Sequence, residues 1–317
     1  MADILTVTIN PAIDIAASID RLEADVKLRC ADPHTDPGGG GVNVARALKA
    51  LGADSDAFVT IGGPTGELLL RLLEGEGVNV LRFPIDGVTR QSFTINETAT
   101  GRQYRFILPG PDWSEPLWRK ALSEIIRLSA DKAYVVLSGS LAPGVPDDFY
   151  LQIARGIADA PTRIILDTSG PALGAALKQE RSAFFCIRMN RTEAKAFAGC
   201  DLDSPEHAQA CAQELAKRDI AQIVIVTMGE KGAALASAEE AFFVAAPRVE
   251  TVSAVGAGDC FVAAFTLGLS QGWPLKRAGG YGAAAAAAAM MTPATVLCRR
   301  TDTDRLFAEI LKAGRAY

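Results

Sequence analysis

Ser253-Ala254-Val255-Gly256-Ala257-Gly258-Asp259-Cys260-Phe261 is the stretch around which this 317-residue chain is organised. Small residues run into an acid, and an apolar pattern (Val262, Ala263, Ala264, Phe265, Leu267) continues as a helix. Glycines at 256 and 258 let successive backbone N–H groups converge with no side chain in the way, forming a concave anion nest. The nest opens a helix, whose first N–H groups and macrodipole also favour negative charge. Asp259 therefore stands where charge on a transferring phosphoryl group would be stabilised. A carboxylate is unwelcome beside an anion unless it takes a proton from the attacking hydroxyl. The alternative is a glycine-rich turn whose acid caps the next helix.

Upstream and downstream of this stretch, apolar strands alternate with helices. Strands are expected at 4–9, 55–61, 78–83, 133–138, 163–167, 183–187 and 223–226, with two short ones at 233–237 and 241–246. Helices are expected from 42 to near 52 and at 66–73, 113–128, 147–157, 172–177, 192–198, 205–217, 257–270, 275–290 and 302–313. Such alternation implies an α/β fold with a mostly parallel sheet covered on both faces. Ligands then bind at the carboxyl ends of the strands, where most of the polar and glycine-rich stretches fall. Segments 12–36 and 88–108 break the rhythm. Lys27-Leu28-Arg29-Cys30 alternates like a strand, and 89–97 with 103–108 reads as a hairpin across Ala99-Thr100-Gly101. These segments are expected to form a small separate sheet over the main one. No biased linker and no repeat divides the chain, so 1–317 reads as a single domain.

Composition narrows the function. Hydrophobic residues make up 49% and charged residues 22%, which suits a soluble protein with a large core. A net charge of −5 argues against nucleic acid or an anionic membrane as partner. An anionic ligand must instead be held by a few placed cations and backbone amides. The N-terminus has no secretory pattern, and the apolar run 283–291 is too short to span a bilayer, so a cytoplasmic location is expected. Six cysteines (Cys30, Cys186, Cys200, Cys211, Cys260, Cys298) show no C-x-x-C pair, and the only histidines are His34 and His207. That pattern favours buried thiols over zinc or a disulfide framework, and it disfavours a Ser-His-Asp hydrolase.

Four other stretches carry chemistry. Pro37-Gly38-Gly39-Gly40-Gly41-Val42-Asn43 runs straight into a helix, which favours close backbone approach to a ligand over a linker; Asn43 is placed to bond sugar hydroxyls. Asp14, among the apolar Ala12, Ile13, Ile15 and Ala16, either caps a turn or grips two hydroxyls. Asn190-Arg191-Thr192-Glu193 is either a capped helix start or a pair suited to a largely hydrated magnesium ion. Thr227-Met228-Gly229-Glu230-Lys231-Gly232 is a glycine turn after a buried strand, consistent with a nucleotide. Neither a P-loop nor a dinucleotide fingerprint is present.

In this order the stretches resemble the ribokinase-like (PfkB) family of sugar kinases over nearly the whole chain, from Asn10-Pro11-Ala12-Ile13-Asp14 to the last helices. The resemblance rests on the Gly38–Asn43 run and on Val255-Gly256-Ala257-Gly258-Asp259. It implies a ribokinase-like mostly parallel sheet sandwiched between helices, with a small β-sheet lid from 12–36 and 88–108 that often forms a homodimer interface. It also implies ATP as co-substrate and Mg2+. By position, Asp259 is then the base, and the amides of Gly256, Ala257 and Gly258 are the anion hole. Asp14, Gly39, Gly40 and Asn43 match sugar-binding positions. Asn190 and Glu193 match an N-x-x-E that orders magnesium through water, and Arg188, Thr227, Gly229 and Gly232 fall on the nucleotide side.

Within the family the likeness is to kinases that phosphorylate the C1 hydroxyl of fructose 6-phosphate. Lys27-Leu28-Arg29-Cys30, Thr89-Arg90-Gln91, Gln103-Tyr104-Arg105-Phe106 and Ser138-Gly139-Ser140-Leu141-Ala142-Pro143-Gly144 carry it. Kinases of fructose 1-phosphate and tagatose 6-phosphate, the alternative substrates, generally have a lysine within the glycine run; this chain has none. Lys27, Arg90 and Ser140 match anchors for the sugar's own phosphate, and Arg29 is placed to reach across a dimer. Surface roles for Lys27 and Arg90 stand as the alternative. Two departures appear. Arg188-Met189-Asn190 replaces the usual Lys-Pro-Asn, and Thr292-Pro293-Ala294-Thr295 lacks a glycine expected beside the nucleotide. A non-catalytic sugar or nucleotide sensor is the rival of another class, but a sensor has no need of a base.

Overall fold

The computed structural model describes residues 3–314 apart from 180, 182, 200, 201 and 294. Its elements run β1 (Ile4–Thr8), β2 (Ala12–Ile19), β3 (Ala31–Gly38), α1 (Gly40–Ala50), β4 (Asp56–Ile61), α2 (Gly63–Gly75), β5 (Asn79–Pro84), β6 (Arg90–Glu97), β7 (Arg102–Ile107) and α3 (Glu115–Ser129). They continue with β8 (Tyr134–Ser138), α4 (Phe149–Gly156), β9 (Arg163–Asp167), α5 (Gly170–Leu177), β10 (Cys186–Asn190), α6 (Arg191–Ala198), α7 (Pro205–Lys217), β11 (Ile223–Thr227), β12 (Gly232–Ala236) and β13 (Ala241–Ala245). The chain closes with α8 (Ala257–Ser270), α9 (Leu275–Met290) and α10 (Arg300–Lys312).

Nine strands form the large sheet in the order β13-β12-β11-β10-β9-β8-β1-β4-β5. All neighbours are parallel except β11–β12 and β12–β13. Alternation along each strand feeds two apolar layers. Leu5, Val7, Val135 and Leu137 face a core shared with α3, α4, α5 and α7. Ile4, Tyr134 and Val136 face the opposite core, built with α1, α8, α9 and α10. Strands apolar on both faces are what a doubly covered parallel sheet requires. The carboxyl ends of β8, β9, β10 and β11 thus deliver Ser138, Asp167, Asn190 and Thr227 to one edge of the sheet.

A second sheet, in the order β3-β2-β6-β7, comes from the two segments that broke the rhythm. β2 pairs antiparallel with β3 but parallel with β6, while β6–β7 is the expected hairpin. One expectation fails: Lys27–Cys30 is not a strand, and the second strand of this sheet begins at Ala31 and runs into the glycines. Pro33 and Pro37 concealed it, since a proline cannot donate to a central ladder; β3 tolerates them because it is an edge strand. The thiol expectation also holds only in part. Cys186, Cys260 and Cys298 are buried and free, but Cys30 is exposed and Cys211 is disulfide-bonded. Cys200 and Ala294 lie outside the described residues. No helix among the described residues is long and apolar enough to cross a membrane.

Candidate active site

The predicted residues gather at the first turn of α8. Its N-cap is Gly256, with φ at 75°, and a Cβ there would come within 2.6 Å of Leu297. A left-handed residue at this point is cheap only for glycine. Gly258 and Asp259 N–H have no carbonyl partner within the helix, and Ala257 N donates only to the Ala254 carbonyl at a long 3.5 Å, so the turn can present its amides to an anion.

Asp259, two residues into this helix from Ala257, accepts a hydrogen bond from Asn43 Nδ2 of α1 at 2.9 Å. Among the described residues its partner is therefore another helix, not the amides of its own, which removes the capping alternative. Burial first, and then the neighbouring Asp167 carboxylate, push Asp259 up to about 7, against the pull of Asn43 and Arg188. A carboxylate tuned to neutrality beside an anion nest is what proton abstraction at physiological pH needs.

Two cavities share this turn as a wall. On one side a cavity of about 210 Å³ is lined by Asp14, Asn43, Arg90, Arg105, Gly256 and Asp259, with Gly39, Gly40 and Thr295 also in its wall. On the other a cleft of about 1190 Å³ is lined by Arg188, Asn190, Thr227, Gly229, Ala257 and Gly258, with Gly232 and apolar residues of α9 beyond. The first has the size and polarity for a small polyol, and the second has the length and mixed lining for a nucleotide.

The glycine run is a requirement of close packing. A Cβ on Gly38 would fall on the Asp14 carboxylate, one on Gly40 on Ser138 Oγ, and one on Gly41 within 2.5 Å of the Val7 carbonyl oxygen. The linker alternative is thereby excluded. Burial raises the pKa of Asp14, and Arg90 and Arg105 offset that rise. Arg90 is held by the Asn10 carbonyl, to which Nε donates at 3.2 Å and Nη2 at 3.1 Å. It forms no ion pair within 4 Å among the described residues and lines the cavity together with Asp14, whose charge it favours. Ser140 stands outside the lining and joins it indirectly, its Oγ accepting from Asn10 Nδ2 at 3.4 Å. Lys27 is exposed in an irregular segment and does not reach the cavity. Lys27 and Ser140, and on the nucleotide side Glu193, are predicted residues that line neither cavity.

On the nucleotide side Arg188 donates from Nη1 to Asp167 at 3.0 Å and from Nη2 to Thr227 Oγ1 at 2.9 Å. Burial works against its charge, but Asp167 more than compensates and holds its pKa up. Its buried Nε has no hydrogen-bond partner among the described residues. The guanidinium lies over the nest, within 2.8 Å of where a Cβ on Gly258 would stand. Gly229 opens a short 3-10 turn, and a Cβ on Gly232 would fall on the Val244 carbonyl oxygen. Asn190 and Glu193 form a capping box, with Glu193 N donating to Asn190 Oδ1 at 2.9 Å and Asn190 N to Glu193 Oε2 at 2.8 Å. The capping alternative is therefore realised. One carboxamide and one carboxylate at the cleft's rim fit a hydrated ion but are too few to strip its water. No cluster of three metal-ligating side chains exists among the described residues.

Three site residues escaped sequence reasoning. Asp167 ends an apolar strand at its carboxyl end, a signal of the same kind that drew attention to Asn190. Arg105 lies in the Gln103–Phe106 stretch that carried the resemblance, but nothing in the hairpin's pattern gave it a role of its own. Thr295 is brought to the small cavity by tertiary structure alone.

The comparisons with known proteins agree with this geometry. A model of the pfkB family carbohydrate kinases matches residues 4–302. ATP-dependent 6-phosphofructokinase isozyme 2 of Mycobacterium tuberculosis strain H37Rv is 42% identical over 304 residues, covering 96% of this chain and 88% of its own. The isozyme 2 of Escherichia coli K12 is 36% identical, covering 97% and 99%. The crystal structure of phosphofructokinase-2 from E. coli in complex with fructose-6-phosphate superposes with a TM-score of 0.90 at 34% identity, covering 98% of this chain and all of that one. Matched in sequence and in architecture from its first strand to its last helix, the chain belongs to the pfkB family of carbohydrate kinases.

Proposed function

We propose that this protein transfers the γ-phosphoryl group of ATP to the C1 hydroxyl of fructose 6-phosphate. The observation that carries the reading is the first turn of α8, the common wall of a polyol-sized cavity and a nucleotide-sized cleft, with a near-neutral carboxylate at the junction. The relatives named 6-phosphofructokinase support the choice of substrate.

In this mechanism Asp14 and Asn43 orient the sugar hydroxyls, with Gly39 and Gly40 allowing the backbone to come close. Asp259 takes the C1 proton as the new P–O bond forms, and the amides of Gly256, Ala257 and Gly258 stabilise charge on the moving group. Arg188 holds nucleotide phosphate with its unspent Nε–H, while Thr227, Gly229 and Gly232 shape the nucleotide side. Asn190 and Glu193 would hold a hydrated magnesium ion, which when bound would supply positive charge against the nucleotide's phosphates. Arg90 and Arg105 meet the dianionic phosphate of the sugar through charge-assisted bonds. Lys27 and Ser140 join them on closure of the small sheet, which acts as a lid that excludes water from the transfer. The exposed Phe106 and Ile107 of that sheet, with Leu108 just beyond it, support its use as a homodimer interface. A single kinase domain over 1–317 and a cytoplasmic location belong to the same reading.

Fructose 1-phosphate and tagatose 6-phosphate are the competing substrates. Kinases of those sugar phosphates generally carry a lysine in the glycine run; this chain has none, and a side chain at 38, 40 or 41 has no room. The test is product identification. Phosphorus NMR of a reaction with MgATP and fructose 6-phosphate is expected to show a second phosphomonoester on the sugar, at C1. ADP formed with no new ester would mean hydrolysis and would remove the proposal.

A further inference from the structure

We propose that Asp36 and Arg46 are positioning residues that clamp Thr295 into the wall of the small cavity and so set its affinity for the sugar phosphate. The inference rests on the reading of that cavity as the sugar site. It starts from Thr295, a β-branched residue with φ at 72°, in the left-handed region that L side chains avoid. Such a conformation persists only where its surroundings hold it. Thr295 is 5% exposed, and it lines the cavity beside Asp14, Arg105 and Asp259.

What holds it is a buried polar cluster that the phosphoryl-transfer mechanism does not use. The Thr295 hydroxyl donates to Asp36 Oδ2, on the strand β3 that enters the glycine run. Arg46 stands one turn beyond Asn43 on α1 and is 7% exposed. Its guanidinium spans three separate segments. Nε and Nη2 grip both oxygens of Glu76 at 2.7 and 2.8 Å, and Nη1 donates to the Pro37 carbonyl at 2.9 Å and to the Thr295 carbonyl at 3.5 Å. Nη2 also lies 3.6 Å from Asp36 Oδ1. The planar fork of arginine makes such a multi-point grip possible; lysine could not. Glu76 follows α2, so the clamp is anchored in the body of the protein while its other arm holds the small sheet.

The segment after Thr295 packs on the catalytic turn. Leu297 borders Gly256, and Cys298 N donates to Cys260 Sγ at 3.2 Å. Asp36 is also the register partner of Asp14 across β2 and β3. The clamp therefore ties together the strand that carries the sugar-gripping acid, the start of the glycine run and the backbone behind the nest. Neither Asp36 nor Arg46 lines either cavity. Loosening it would let the cavity wall relax from its strained form and weaken sugar binding more than nucleotide binding or chemistry.

The test uses Asp36→Ala and Asp36→Asn, both of which leave the Arg46–Glu76 pair intact, together with Thr295→Val and Thr295→Ser. KM is measured for MgATP and for whichever sugar phosphate of a panel the wild type turns over. Amide exchange at 295–298 is followed in the ligand-free protein, independently of activity. Asp36→Ala is expected to raise the sugar KM about tenfold while KM for MgATP and kcat stay within about twofold. It is also expected to speed exchange at 295–298 about tenfold. Thr295→Val should raise the sugar KM likewise, Thr295→Ser should preserve it, and Asp36→Ala with Thr295→Val should be no worse than either alone, because both remove one interaction. Unchanged exchange at 295–298 in both Asp36 variants would overturn the clamp, whatever the kinetics. Faster exchange with both KM values and kcat changed alike would overturn its selectivity and leave a merely structural role. A wild type that phosphorylates no sugar phosphate would sink the sugar-site reading separately, with the clamp still decided by exchange.

Discussion

Asp259→Asn should disable the enzyme and stabilise the protein in the same stroke. The carboxyl is pushed from 3.8 to about 7, chiefly by burial and by Asp167. Each pKa unit is about 1.36 kcal/mol, so ionised Asp259 costs the fold at most about 4 kcal/mol at alkaline pH. The sign follows from proton counting. Between the two pKa values the folded protein keeps a proton that the unfolded chain has released, so this residue's contribution falls as pH rises from about 4 to about 7 and is flat above. About 1.6 kcal/mol of that ceiling is already present at pH 5, leaving about 2.5 kcal/mol to develop by pH 8. Asp259 borders a cavity, and water there lowers the expected change to about 1–2 kcal/mol. Asparagine keeps the size and an acceptor for Asn43 Nδ2 but never ionises. The stability advantage of the variant should therefore widen by that amount between pH 5 and pH 8, read from urea melts of both proteins at each pH. Comparing the two proteins cancels every other titration. A gap that is constant with pH, or one that narrows, would refute the reasoning about burial.

Other outcomes follow from the same geometry. In wild type, kcat/KM for fructose 6-phosphate should climb with pH and level off above about 7, because the base must be ionised in the free enzyme; a flat profile from pH 5.5 to 8 would exclude Asp259 as the titrating group. Arg188→Ala should raise KM for ATP about tenfold or more and move that profile to higher pH, since Arg188 is one of the groups holding Asp259 down. Steady-state kinetics across pH would show it, and a shift to lower pH would contradict the assignment. Arg90→Ala and Arg105→Ala should each raise KM for fructose 6-phosphate about 10–100-fold with little change for unphosphorylated fructose; equal losses on both sugars would place these cations elsewhere than at the phosphate.

Much of this was legible in the sequence because its signals are local. Continuous short apolar runs mark strands buried on both faces, so the large sheet could be read nearly strand by strand. The glycines at 38–41, 256 and 258 were legible because close approach leaves no alternative residue, and Asp259 because an acid after such a nest needs a reason. What stayed hidden depends on contacts far apart in the chain. The strand Ala31–Gly38 hides behind two prolines that only an edge position permits. The tuning of Asp259 comes from Asp167, and the strained Thr295 is held by Asp36, 259 positions away. Of the two readings of Asn190 and Glu193, the capping box is the one the side chains display, and only the tertiary fold shows that it places Asn190 in the wall of the large cleft.

The most direct test of the central claim is ADP release with MgATP against fructose 6-phosphate, tagatose 6-phosphate, fructose 1-phosphate, fructose and ribose, with Asp259→Asn run beside wild type. The account predicts the highest kcat/KM with fructose 6-phosphate and a loss of about 10²–10⁴-fold in kcat for the variant, the range a positioned general base contributes. Near-normal turnover in Asp259→Asn, or no turnover of any sugar phosphate by a wild type that still binds ATP, would contradict it.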